Sequence, residues 1–206
     1  MNPDWIAPDR TALVLIDCQV DFGAPDGEMA KRGCDLTAVQ AALVQAAAIA
    51  DSARAASVPV VFVRLLTHPG GENRIAAEAK VRKGLVDEPD LCVEGTRGAD
   101  FCGPQPQPGE SVISKTHFSA FGRTGLAKQL HARGIDTLVL AGLTTECCIA
   151  SSAWDAFEQD FHVFIAADAC AAYEDDLHQG ALKALALSAA TVATTAEFAV
   201  AWELSI

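Results

Sequence analysis

The chain has 206 residues, 50% of them hydrophobic, and a formal net charge of −12. That length favours one domain with a substantial core, and acidity without a basic stripe argues against nucleic acid or an anionic membrane as partner. The 7 cysteines are an odd number without disulfide-framework or zinc spacing, so they read as free thiols in a reducing compartment, most of them core fillers.

In chain order, Met1–Arg10 shows neither a basic start nor an apolar h-region, so cytoplasmic residence is expected. No apolar stretch is long enough to span a bilayer. Ala12–Ile16 reads as a strand buried on both faces. Asp35 is placed to cap a helix running to about Ser57, with Leu36, Val39, Leu43, Ala47 and Ala50 on one face. Val58–Leu65 is the next strand. Thr67–Glu110 reads as a long irregular region in which only Asn73–Lys83 has helical character; a loop of this length is usually functional or an interface. Ser111–Ser114 is a third strand, and Thr124–Arg133 a helix closed by Gly134. Thr137–Ala141 is a fourth strand, and Ala150–Gln159 the helix after it. His162–Ala166, the helix Asp175–Ala189, a short strand Thr191–Thr194 and a helix through Trp202 complete the pattern. Strands alternating with helices predict a single doubly wound α/β domain over residues 1–206, Rossmann-like, its mostly parallel sheet of about six strands carrying helices on both faces.

In such sheets ligands bind beyond the carboxyl ends of the strands. Three chemistry-bearing residues fall there: Asp17 after the first strand, Lys115 after the third, and the Cys147–Cys148 pair after the fourth. A thiol at a strand-to-helix turn lies near unpaired backbone N–H groups and the positive end of the helix dipole. These features and a nearby ammonium are expected to favour the thiolate. Asp17 would serve as proton acceptor and donor, and backbone N–H groups around the turn would hold a developing oxyanion. Adjacent helix positions point about 100° apart, so one of the two thiols faces the site. The five histidines, His68, His117, His131, His162 and His178, show no ligand spacing, and His117 alone is placed near the site. Trp5, Trp154 and Trp202 read as core or interface aromatics. Arg64, Arg74, Arg82 and Arg97 surround the irregular region as solvated, interface or carboxylate-binding groups.

Three segments together resemble the isochorismatase-like hydrolase superfamily. They are Asp17-x-Gln19-x-Asp21-Phe22 after an apolar run, Lys115 followed by Ser119-Ala120-Phe121, and Gly142-Leu143-x-Thr145-x-x-Cys148-Ile149. The superfamily includes nicotinamidases, N-carbamoylsarcosine amidohydrolases, biuret and ureidoacrylate hydrolases, and isochorismatases. The resemblance implies a catalytic triad of Asp17, Lys115 and Cys148, with Cys148 as the nucleophile. It also implies a cis peptide at Leu143–Thr144 and an oxyanion hole from the amides of Thr144 and Cys148. Phe22, His117, Ser119 and Phe121 map near the pocket. The metal-binding Asp-x-His of nicotinamidases has no counterpart in Arg64–Gly70, so no metal and no cofactor is expected. The implied activity is a metal-independent cysteine amidohydrolase acting through a thioester on a small amide, carbamoyl or ureido compound. The alternatives are an enol-ether hydrolase using Asp17 and Lys115, an idle interaction protein on the same scaffold, and a thiol redox protein using Cys147 and Cys148. The expected partners are a small-molecule substrate and further copies of the chain, as a dimer or tetramer.

Overall fold

The computed structural model describes residues 1–68 and 74–204. Its strands are β1 (Thr11–Ile16), β2 (Val60–Leu65), β3 (Ser111–Lys115), β4 (Thr137–Leu143), β5 (His162–Ala171) and β6 (Ala190–Ala193). They form one sheet in the order β3-β2-β1-β4-β5-β6, and every neighbouring pair is parallel. The helices are α1 (Val20–Gly23), α2 (Glu28–Lys31), α3 (Thr37–Ala55), α4 (Arg74–Lys83), α5 (Leu126–His131), α6 (Ala150–Phe157), α7 (Asp175–Ser188) and α8 (Thr195–Glu203). A π-helical turn, Thr145–Ile149, runs directly into α6. The chain winds outward from β1 in one direction and from β4 in the other, so strand order reverses between these two central strands.

The central strands are buried throughout, β1 and β4 without a single exposed residue, as continuous apolar runs covered on both faces require. Alternation along β1 sends Leu13 and Leu15 to one core layer, with Val39 and Ile49 of α3 and Phe198 and Trp202 of α8. Ala12, Val14 and Ile16 go to the other layer, with Leu126 and Leu130 of α5, Ile149 of the π turn and Leu185 of α7. The period of two places successive side chains on opposite faces.

Several helix ends follow from sequence chemistry. Asp35 Oδ1 accepts the Thr37 N–H at 2.8 Å, and Thr194 with Glu197 forms a reciprocal capping box at α8. Trp202 is buried and donates its indole N–H to the Ile6 carbonyl at 3.1 Å, tying the end of the chain to its beginning. The aromatic area thus removed from water makes this one of the larger single contributions to the core.

Differences from the sequence reading have local causes. Asp168 interrupts the apolar pattern of β5, yet the strand continues to Ala171; the carboxylate accepts the Thr195 N–H and hydroxyl at 2.8 Å each, holding α8 in place. β4 runs past Ala141 because Gly142 and Leu143 pair with Cys170 and Ala171 after a register shift. Four-residue α1 and α2 are too short to show periodicity. The expected helix at Asn73–Lys83 is present from Arg74; Asn73 lies outside the described residues, as do Pro69 and Gly70 of the Arg64–Gly70 segment. The stretch that follows α4 is irregular but docked, through bridges from Val93 to Thr67 and from Phe101 to Gln19.

Gly142 is the tightest point of the sheet. Its φ is +123°, and a Cβ there would lie 2.0 Å from the Ile16 carbonyl oxygen. Gly142→Ala should therefore destabilise the protein by more than about 2 kcal/mol, combining left-handed strain with backbone overlap. Denaturant unfolding checks this, and an unchanged midpoint would contradict it.

Candidate active site

At the carboxyl ends of β1, β3 and β4 the structure brings together Asp17, Lys115 and Cys148. The Lys115 ammonium donates to Asp17 Oδ2 at 2.6 Å, to the His117 carbonyl at 3.1 Å and to Cys148 Sγ at 3.4 Å. All three hydrogens of the ammonium are thereby engaged. The Lys115 and Asp17 side chains are both 0% exposed, and Cys148 is buried. Asp17 Oδ1 is buried as well and accepts no hydrogen bond from a described residue. It is the spare acceptor of the cluster.

Each group reaches this point by a local device. Asp17 turns out of β1 with φ +53°, a left-handed conformation tolerated by Asp more readily than by most residues. Lys115 is the last residue of β3, and its stem passes through the buried end of the sheet. Cys148 lies in the π turn behind a cis Leu143–Thr144 peptide. Ser152, fully buried, donates to the Cys148 carbonyl at 2.6 Å and accepts the Ala120 N–H at 2.9 Å. It joins the thiol-bearing turn to the loop that follows Lys115.

Burial raises the Asp17 pKa above its ordinary 3.8, opposed by the Lys115 charge and by the Cys148 thiol. Burial alone would lower Lys115, but the Asp17 charge and the hydrogen bonds to Asp17 and Cys148 act the other way and the net direction is up. The adjacent Cys147 thiol raises Cys148, with burial and the Asp17 charge acting the same way and Lys115 opposing. Cys148 in turn lowers Cys147. The sequence led us to expect a Cys148 thiolate favoured by the ammonium; with Asp17 already balancing Lys115, a second buried anion is unfavourable. The direction on Cys148 favours the neutral thiol beside the Asp17–Lys115 pair.

The remaining residues singled out from sequence fall in different places. The His117 carbonyl serves Lys115 while its ring meets the Thr116 hydroxyl. Ser119 Oγ accepts the Phe121 N–H at 3.1 Å, fixing the turn, and the Phe121 ring lies 5.8 Å from Phe161 in the core. Phe22 is buried in the other core layer, and its carbonyl accepts the Tyr173 hydroxyl at 2.8 Å. For Phe22 and Phe121 the structure shows packing. His131 stacks on Phe161, and His68 meets Glu94 at 2.8 Å. Arg64 donates to Ser114, Arg74 and Arg82 pair with Glu78, and Arg97 pairs with Asp26. Among the described residues no three His, Cys, Asp or Glu side chains gather as a metal site. The sequence reading missed the Thr145 hydroxyl's 2.8 Å bond to His178, a contact 33 residues away that no local spacing reveals.

The architecture is that of a parallel α/β protein with a buried thiol–ammonium–carboxylate cluster at its topological switch point. The isochorismatase domain model matches residues 11–197, and the chain belongs to that family. It is 36% identical over 174 residues to maleamate amidohydrolase of Pseudomonas putida, covering 84% of this chain and 78% of that protein. It is 30% identical over 179 residues to ureidoacrylate amidohydrolase RutB of Agrobacterium fabrum, covering 82% and 78%. Among solved structures, an isochorismatase family protein from Desulfovibrio vulgaris superposes with a TM-score of 0.79 at 28% identity, covering 91% of this chain and 95% of that one.

A reaction that uses Asp17 as base should lose kcat/KM on acidification, as the carboxylate takes up its proton, through a pKa above 3.8. Asp17→Asn should lower kcat/KM by about 100-fold or more. A pH–rate profile with its acid limb at or below the ordinary carboxylate value would show that another group controls the reaction.

Proposed function

We propose that the protein is a cysteine amidohydrolase that cleaves a C–N bond of a small amide, carbamoyl or ureido substrate through a thioester on Cys148. The observation that carries the reading is the single ammonium, Lys115, within hydrogen-bonding distance of both the carboxylate of Asp17 and the sulfur of Cys148. The two relatives named as amidohydrolases support the same bond type.

The chemistry follows from the protonation states. Cys148 is held as a thiol, so Sγ attacks the substrate carbonyl as its proton passes to Asp17. Lys115 remains an ammonium throughout and keeps the carboxylate and the sulfur in register. The developing oxyanion is received by the amides of Thr144 and Cys148, where the turn leading into α6 supplies N–H groups not yet committed to helix bonds. Collapse of the tetrahedral intermediate breaks the C–N bond, and Asp17 returns its proton to the departing nitrogen. Water then gives a proton to Asp17 and attacks the thioester; collapse of that intermediate breaks the C–S bond, Asp17 returns the proton to sulfur, and the carboxylic or carbamic acid leaves.

The reading assigns no metal or cofactor. Among the described residues after β2, His68 meets Glu94 at 2.8 Å. It includes a cytoplasmic homo-oligomer; among the described residues no helix is long and apolar enough to cross a membrane, and the exposed Ile75, Val81 and Val86 offer apolar surface on and beside α4.

Ammonia release across a panel of small amides, carbamoyl and ureido compounds tests the function. Cys148→Ala should lower turnover by about 1000-fold or more while leaving the fold intact, and prolonged chelator treatment should leave wild-type turnover unchanged. Retained turnover in Cys148→Ala would defeat the thioester mechanism.

A further inference from the structure

The Asp17–Lys115 pair presents a geometric problem. β1 and β3 are not neighbours; β2 lies between them, so the pair must close over the end of β2. The backbone ladder between β1 and β2 stops just before this point. Ile16 pairs with Val63 and the Asp17 N–H reaches the Val63 carbonyl at 2.8 Å, after which the chain turns back on itself through a Gln19 N–H to Asp17 carbonyl bond of 2.8 Å. β2 nevertheless continues to Leu65.

Gln19 fills the gap. Its Oε1 accepts the Leu65 N–H at 2.8 Å, and its Nε2 donates to the Leu65 carbonyl at 2.9 Å and to the Ala99 carbonyl at 3.0 Å. The side chain is fully buried. Its carboxamide thus stands in for the peptide group that β1 would have offered had it not turned away at Asp17. Leu65 in turn pairs with Lys115 in the β2–β3 register, and the Lys115 carbonyl accepts the Leu66 N–H at 2.9 Å.

We propose that Gln19 is a positioning residue for the reaction: it locks the end of β2 to β1 and so fixes Lys115 against Asp17 and Cys148. The inference rests on the reading of those three residues as the catalytic triad. Removing the carboxamide frees Leu65, and with it the position of the ammonium relative to the carboxylate. The third bond, to Ala99, joins the 97–99 turn to the same anchor.

The test uses the full chain with Gln19→Ala and Gln19→Glu. The Glu variant keeps the volume and the acceptor for the Leu65 N–H but presents no donor, when ionised, to the Leu65 and Ala99 carbonyls. At a temperature where circular dichroism shows each variant folded, kcat should fall about tenfold or more with KM changed by less than about threefold, the signature of misplaced reacting groups. The pH dependence of Cys148 alkylation by iodoacetamide, located by tandem mass spectrometry, should shift in the same variants. That readout needs no substrate, and a purely structural role would not move it. If Gln19→Ala does not fold, Gln19→Glu carries the test. A lowered melting temperature with wild-type kcat and a wild-type alkylation profile would overturn the proposal. Failure of the triad reading is a different result: turnover retained in Cys148→Ala.

Discussion

A lysine ammonium and an aspartate carboxylate, both with fully buried side chains and 2.6 Å apart, constrain everything around them. Taking two such charges out of water costs several kcal/mol per ion even after relaxation, and their attraction repays it only with good geometry and further hydrogen bonds. The geometry here is good and Lys115 has its further bonds, to a carbonyl and a sulfur. Asp17 is less completely served, since Oδ1 is left without a described donor. A sheet end built for stability alone would carry apolar side chains at these positions. On the proposed reading the pair is stability given up for chemistry, and the surrounding structure is what holds it in place.

Three kinds of support converge on it. Gly142 lets β4 approach β1 closely enough for the thiol-bearing turn to begin beside Asp17. Ser152 links the Cys148 turn to the loop beyond Lys115. Gln19 replaces the missing rungs of the ladder at the end of β2. Each works through buried hydrogen bonds or close backbone contact, and the low-dielectric surroundings make such contacts exacting about distance. The electrostatic outcome is a site whose net charge is already balanced before substrate arrives. The neighbouring groups and burial push the Cys148 thiol up, and in the proposed reaction activation of the sulfur falls to the carboxylate beside it.

Much of this was legible in the sequence because the chain is regular where it matters. Asp17 directly follows the apolar run Ala12–Ile16, Lys115 follows the short strand Ser111–Ser114, Cys148 lies in the turn after Thr137–Ala141, and an alternating strand–helix pattern places all three strand ends on one edge. The cis peptide at Leu143–Thr144 came only from family resemblance. Gln19 was a letter in a motif, since its partners are main-chain atoms 46 and 80 residues away. The expected strand stopped at Ala166, because the Asp168 carboxylate gives no sign in one dimension that a helix start elsewhere needs it. The thiol's ionisation was misjudged for a related reason. Counting an ammonium near a cysteine lowers its expected pKa, but the depth of burial and the pairing of that ammonium with Asp17 appear only in three dimensions.

The central claim is that carbon–nitrogen cleavage passes through an acyl group on Cys148 sulfur. Acid-quenched reactions with a turned-over amide, analysed by intact-protein mass spectrometry and then by peptide sequencing, address it directly. The account predicts a transient adduct with the mass of the acyl fragment, carried on Cys148 and absent from Cys147, that forms and decays at rates compatible with kcat. An acyl group on any other residue, or turnover with no adduct although quench times span the catalytic cycle, would contradict it.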